Sequence, residues 1–366
     1  MAHRRNESEK KMRKRFEAGD LKSFCGRVLH RVGMDERRSS AVADILVEGD
    51  LWGHSSHGVK LLGPYAKEIE YGTMTLSGDP RVVADSGSAL TLDGRYLPGP
   101  WLVLHAMDMA FERSTRHPVV TVVIRRCHHI ACLAAFMKRA TDRKLLCILT
   151  CSDPNFKSVA PFGGTTPTYS PNPLAAGIPT SGDPVVLDMS VSNTANGVIA
   201  RFRSRNKKLP GKWLIDNRGV PTDDPEVMYS DPPGTILPLG GMDLGYKGFA
   251  LGLLIEALTS ALGGYGRADG APHWGSSVFL QVINPGMFGG YEAFVRETGF
   301  FAEACRKGGR IDASREIRMP GHRGLKLREK QLREGVELEP DVLSSLEEVS
   351  ARYEEPLPSP IEQQDP

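Results

Sequence analysis

Val119-Val120-Thr121-Val122-Val123-Ile124, followed by His128-His129-Ile130 and then by helical spacing over residues 130–142, sets the fold class of this chain. The first six residues are β-branched and read as a strand. The alternation continues outward. Residues 101–113 read as a helix before it, and residues 145–150 and 184–187 as strands after it. Residues 194–205 and 246–262 then read as helices and residues 278–283 as a strand ending at Asn284-Pro285-Gly286. Alternating strand and helix predicts an α/β centre with helices on both faces of its sheet.

Toward the N-terminus, residues 20–32, 35–51 and 59–71 carry apolar residues at helical spacing, with Asp35 placed to cap the second helix. Residues 81–84 and 89–92 read as short strands around Asp85-Ser86-Gly87-Ser88. Residues 321–353 return to charged amphipathic helices. Basic residues gather near the start, so residues 1–18 are expected as a flexible solvated extension. Residues 354–366, rich in proline and acid, are expected as a disordered tail.

The 366 residues are 40% hydrophobic and 25% charged with a net charge of +2, which gives no argument for nucleic-acid or membrane binding. The longest apolar run, residues 249–262, contains Glu256 and reads as a buried helix too short for a span. The start carries no apolar signal region, and six cysteines lie without CxxC pairing, so a cytoplasmic protein with free thiols is expected. Cys127, His128, His129 and Cys132 lack a second ligand pair at matching spacing, and no metal is expected.

Chemistry concentrates at element ends. Gly53-His54-Ser55-Ser56-His57-Gly58 closes a helix, His128-His129 follows a strand, and Asp188-Met189-Ser190 closes another. Histidines with a carboxylate at such positions suit proton transfer. Asp188 either steadies a histidine or caps the helix after it. No GxGxxG follows a strand, and Tyr246 breaks the P-loop spacing at Lys247. Pro161-Phe162-Gly163-Gly164, Gly245-Tyr246-Lys247-Gly248 and Pro320-Gly321-His322 are either phosphate cradles or plain turns.

Taken in order, these motifs resemble the type-2 malate/L-lactate dehydrogenases, a NAD(P)-dependent family unrelated to the Rossmann lactate dehydrogenases. The resemblance rests on the Ser-His-Gly-Val element with Tyr65, His128-His129-Ile130, Pro161-Phe162-Gly163-Gly164, Asn172-Pro173, Asp188-Met189-Ser190, Gly219-Val220-Pro221-Thr222 and Gly245-Tyr246-Lys247-Gly248. It implies a cytoplasmic homodimer with a non-Rossmann cofactor domain, built on a mixed sheet, over residues 76–309. A helical domain from residues 19–75 and 310–353 would pack beside it.

The implied reaction is hydride exchange between NAD or NADP and C2 of a small 2-hydroxy or 2-oxo acid. His57 would move the proton, with His129 the competing candidate, Asp188 holding the ring and Ser56 binding substrate. Lys60, Tyr65 and Asn172 would also meet the substrate. Ser152, Pro161, Gly163, Asp188, Met189, Ser190, Lys247, Gly248, Pro320, Gly321 and His322 would hold the cofactor. Leu61 stands where many relatives carry a carboxylate-clamping Arg, Ala131-Cys132 where Gly is usual and Arg often follows, and Pro171 where Thr is common. Reduction of a cyclic imino acid, or silent binding of a dinucleotide, are the alternative readings.

Overall fold

The computed structural model describes residues 13–362. Strand β1 (Lys14–Phe16) precedes helices α1 (Ala18–Arg31), α2 (Glu36–Leu51) and α3 (Leu62–Glu70). Strands β2 (Arg81–Asp85) and β3 (Ala89–Asp93) lead into α4 (Gly99–Arg113), β4 (Val119–Cys127), α5 (Ala134–Thr141) and β5 (Leu146–Ser152). Strands β6 (Pro173–Ile178) and β7 (Val185–Ser190) follow, then α6 (Asn196–Ser204) and the short strands β8 (Leu214–Ile215), β9 (Pro221–Thr222) and β10 (Thr235–Ile236). Helix α7 (Gly241–Glu256) runs on through the π turn Ala257–Ala261. The chain ends with β11 (Ser276–Ile283), α8 (Tyr291–Lys307), α9 (His322–Glu334), β12 (Val336–Leu338) and α10 (Pro340–Tyr353).

The central sheet has seven strands in the order β2-β3-β4-β11-β5-β6-β7. Only β3 and β4 pair in parallel; every other neighbour is antiparallel. The sheet is therefore mixed, and its order is not that of a doubly wound nucleotide fold. One continuous apolar cluster joins Phe24 and Leu46 of α1 and α2 to Leu102, Val122, Phe136 and Leu280 around the sheet, and to Leu346 of α10. A smaller cluster of Val159, Tyr169, Ile199, Leu214 and Ile236 backs the three short strands. Among the described residues no helix is long and apolar enough to cross a membrane.

Several expectations are corrected. The basic extension ends early, because Lys14–Phe16 pairs antiparallel with Val336–Leu338 and Arg15 ion-pairs with Glu334 and Glu337; residues 1–12 lie outside the described residues. The expected disordered tail lies against the body as far as Ile361, whose amide donates to the Arg15 carbonyl at 2.8 Å. Glu354 and Glu355 pair with Arg31 and Arg27. Residues 363–366 lie outside the described residues.

Helix α5 starts at Ala134 rather than near Ile130, since Ala131 sits at φ 61°, which no helix can include. Helix α7 starts at Gly241, well before Tyr246. It is not buried as read: Leu244, Tyr246, Leu253 and Leu254 are each about half exposed. Strand β6 and helix α8 had no clear signal, because β6 is small, Pro- and Gly-bearing, and α8 buries only Val295 and Ala302.

Candidate active site

The turn carrying Ser56 and His57 is moulded by the end of α2. Asp50, buried there, accepts the Val59 amide at 2.6 Å. Burial pushes its carboxyl up to about 7, with the Val59 amide opposing and Glu339 reinforcing. A Cβ on Gly58 would lie 2.1 Å from Asp50 Oδ2, so the close approach admits glycine alone. Ser56 Oγ and His57 Nδ1 are hydrogen-bonded at 2.9 Å, which fixes the His57 ring.

The second histidine segment is gripped just as tightly. A Cβ on Gly99, at the start of α4, would fall 2.3 Å from the carbonyl oxygens of both His128 and His129. The rings of His57 and His129 face each other with centroids 5.7 Å apart at 30°. Fully buried Tyr65 places its hydroxyl 2.9 Å from His129 Nδ1 and 3.0 Å from the His129 carbonyl. A carbonyl only accepts, so the hydroxyl donates to it and His129 Nδ1–H donates to the hydroxyl oxygen, leaving Nε2 with the lone pair. The Ala131 amide, 3.4 Å from Nδ1, is a longer contact that the opposite tautomer would accept.

Trp274 stacks on His129 at 4.6 Å and 28°. Sequence reasoning missed it; its signal was a lone tryptophan in the loop before β11. His128 is fully buried and lies behind the site, 3.5 Å from Glu68.

Burial lowers the pKa of His57 below the ordinary imidazole value; the Asp188 charge opposes this and His54 adds to it. Burial holds His129 well below that value, with repulsion from His57 and His128 in the same direction. Both rings are consequently neutral at pH 7.

Asp188 lies inside β7 rather than after it. Its Oδ2 accepts the Ala134 amide at 2.8 Å, so it caps α5, a helix earlier in the chain, rather than the helix that follows it. Cys132 Sγ is 3.7 Å from the same oxygen. His54, Cys132 and Asp188 present one donor atom each within 4.8 Å of one another, a set that could hold a soft divalent cation.

The residues expected to bind cofactor or substrate divide clearly. Asp188, Met189, Pro320 and Gly321 line one cleft of about 690 Å³ together with Trp52 and His54. Gly321, at φ 81°, lies against Val186 where a Cβ would meet its carbonyl at 2.6 Å, which seats the start of α9 on β7. His322 is the next residue, and Ser190 ends β7.

Ser152 is withdrawn from any ligand: it is fully buried, with Oγ bonded to Thr259 and Ser260 of the π turn. Asn172 is equally enclosed, its amide tied to Ser170, Gly252 and Glu256. The Lys60 ammonium is committed to Asp341 of α10 at 2.7 Å. Lys247 and Gly248 lie in the second turn of α7, not at its N-terminus. They neighbour the surface turn of Pro161 and Gly163 through the Phe162–Tyr246 contact.

Residues 16–347 match the family model for malate/L-lactate dehydrogenase. The malate/(S)-sulfolactate dehydrogenase of Methanothermus fervidus is 28% identical over 337 residues, 90% of this chain and 95% of that protein. Hydroxycarboxylate dehydrogenase B of Escherichia coli O157:H7 is 29% identical over 332 residues, 89% and 90% of the two chains. The solved structure of malate dehydrogenase from Pyrococcus horikoshii OT3 superposes with a TM-score of 0.83 at 25% identity, covering 93% of this chain and 96% of that one. The chain belongs to the malate/L-lactate dehydrogenase family.

Proposed function

We propose that this protein exchanges a hydride between NAD(P) and C2 of a small 2-hydroxy or 2-oxo carboxylic acid, with the His57–His129 pair handling the proton. The observation that carries this reading is the facing pair of rings, each fixed through Nδ1, by Ser56 and by Tyr65. When bound, the nicotinamide supplies or takes up the hydride; this chain's residues must move one proton and fix geometry.

Two neutral imidazoles suit oxidation of an alcohol, where a ring nitrogen accepts the hydroxyl proton. In reduction one ring must first gain a proton, and the Asp188 charge favours that on His57. We therefore assign proton transfer to His57, with Ser56 orienting it. His129, steadied by Tyr65 and Trp274 with its lone pair on Nε2, faces His57 as the competing proton acceptor. Asp188, Met189, Ser190, Pro320, Gly321 and His322 would hold the cofactor along the cleft. Since Lys60 is occupied by Asp341, the substrate carboxylate needs another partner.

The exposed apolar face of α7 (Leu244, Tyr246, Leu253, Leu254), with Phe300 and Phe301 of α8, fits a homodimer contact. Six unpaired cysteines fit a reducing cytoplasm. The division into a cofactor domain and a helical cap is part of the same reading.

The test is nicotinamide absorbance with NADH and NADPH against a panel of 2-oxo acids and cyclic imines, alongside His57→Ala and His129→Ala. Turnover of an oxo acid that His57→Ala abolishes supports the assignment. Turnover confined to imines names the reductase instead. Dinucleotide binding without any turnover identifies a silent relative.

A further inference from the structure

We infer that Arg318, Arg323 and Lys326 form a site for the 2′-phosphate of NADP, so that this enzyme selects NADP over NAD. The inference rests on the dinucleotide reading above and goes beyond it. The cleft floored by Asp188 and Gly321 does not end at Gly321. A second hollow of about 600 Å³ adjoins it, lined by Arg315, Glu316, Arg318, His322, Arg323 and Lys326. Arg318 and Arg323 line both spaces, which makes the hollow a continuation of the cleft. Arg201 of α6 adds another cation to the cleft wall.

The charges in the hollow are not balanced. Four permanent cations face the single carboxylate of Glu316, and of the four only Arg315 has an ion pair, with Asp312. No ion pair or hydrogen bond from a side chain of Arg318, Arg323, Lys326 or Arg201 occurs among the described residues. Like charges gathered in a concave wall repel one another unless an anion joins them. Their placement is rigid at its base, because Gly321 pins the start of α9 to β7. Arg323 and Lys326 then stand three residues apart on one side of that helix.

His54 and Asp188, whose charges act on His57, line the same cleft as Arg318 and Arg323, so a dinucleotide laid along it with its nicotinamide toward His57 would bring its adenosine ribose to this hollow. In NAD that ribose carries neutral hydroxyls; in NADP it carries a phosphomonoester, the group that paired guanidinium forks bind best. The pyrophosphate is common to both cofactors and cannot distinguish them, so the comparison between the two isolates the 2′-phosphate.

Binding to the full chain can be followed without turnover, by quenching of tryptophan fluorescence, since Trp52 lines the cleft. NADPH should bind at least about ten-fold more tightly than NADH, and 2′,5′-ADP should displace it where 5′-ADP does not. Lys326→Ala, at an exposed position lining the hollow alone, should weaken NADPH about ten-fold and leave NADH within about two-fold, and Arg323→Ala, which lines both spaces, should weaken NADPH more than NADH. Equal loss for both cofactors would assign the cluster to the pyrophosphate and overturn the proposal. So would NADH binding as tightly as NADPH, or displacement by inorganic phosphate as effective as by 2′,5′-ADP. Binding of neither dinucleotide would overturn the dehydrogenase reading itself.

Discussion

Asp50→Asn removes a titratable group from beneath the turn that carries Ser56 and His57. Asp50 is 5% exposed, and its carboxyl moves from the ordinary 3.8 to about 7 as the chain folds. The folded chain therefore keeps a proton on Asp50 at pH values where the unfolded chain has released it. A group raised in this way contributes its full stability below the unfolded value and loses it as pH climbs through about 7. At about 1.4 kcal/mol per pH unit, the interval bounds the loss at about 4 kcal/mol.

Asn keeps an oxygen for the Val59 amide and cannot ionise. Urea unfolding of both proteins, followed by tryptophan fluorescence from about pH 4.5 to about pH 8, isolates this group, because other shifted carboxyls such as Asp153 are common to both. The variant should gain on the wild type by about 1–4 kcal/mol across that range and level off above pH 7. A difference that stays flat, or that moves against the variant as pH rises, would show that Asp50 is not a buried carboxyl of raised pKa.

Tyr65→Phe removes the hydroxyl that meets both His129 Nδ1 and its carbonyl, so it should cost about 1–3 kcal/mol in unfolding free energy. It should also cut kcat at least about ten-fold with little change in KM, readable by steady-state kinetics. Asp188→Asn keeps an acceptor for the Ala134 amide but deletes the charge that raises the His57 pKa. The rate of reduction rises as pH falls through that pKa, so its pH profile should shift to lower pH in the variant, and an unmoved profile would exclude the electrostatic role. Ala131→Gly relieves a left-handed alanine at φ 61° and should raise stability by about 0.5–1 kcal/mol, read as a higher melting temperature.

Much of this was legible because strongly patterned elements announce themselves. The β-branched run of β4 and the Asp35 cap, whose side chain accepts the Arg38 amide, fall where the spacing put them. His57 and His129 stood out as rival proton donors through the family resemblance, whereas the facing of their rings is visible only in the fold. Other parts depend on packing that no local pattern encodes. Ser152 and Asn172 have polar side chains suited to ligands, yet long-range contacts with the π turn and α7 consume them. Lys60 has a suitable charge, but its partner Asp341 lies at the far end of the chain. The exposed apolar face of α7 reads as core in one dimension, because its residues are as apolar as a covered helix would require.

The place of β11 in the sheet has a consequence for how the molecule is made. It supplies the partner between β4 and β5, although those strands are complete by Ser152 and β11 begins only at Ser276. Until that segment leaves the ribosome, a growing chain holds two apolar strands with an unpaired edge each, open to pairing with other nascent chains. A product truncated before residue 276 would keep both edges permanently. Rapid completion of synthesis, or shielding by a chaperone, thus protects this fold until β11 is in place between β4 and β5.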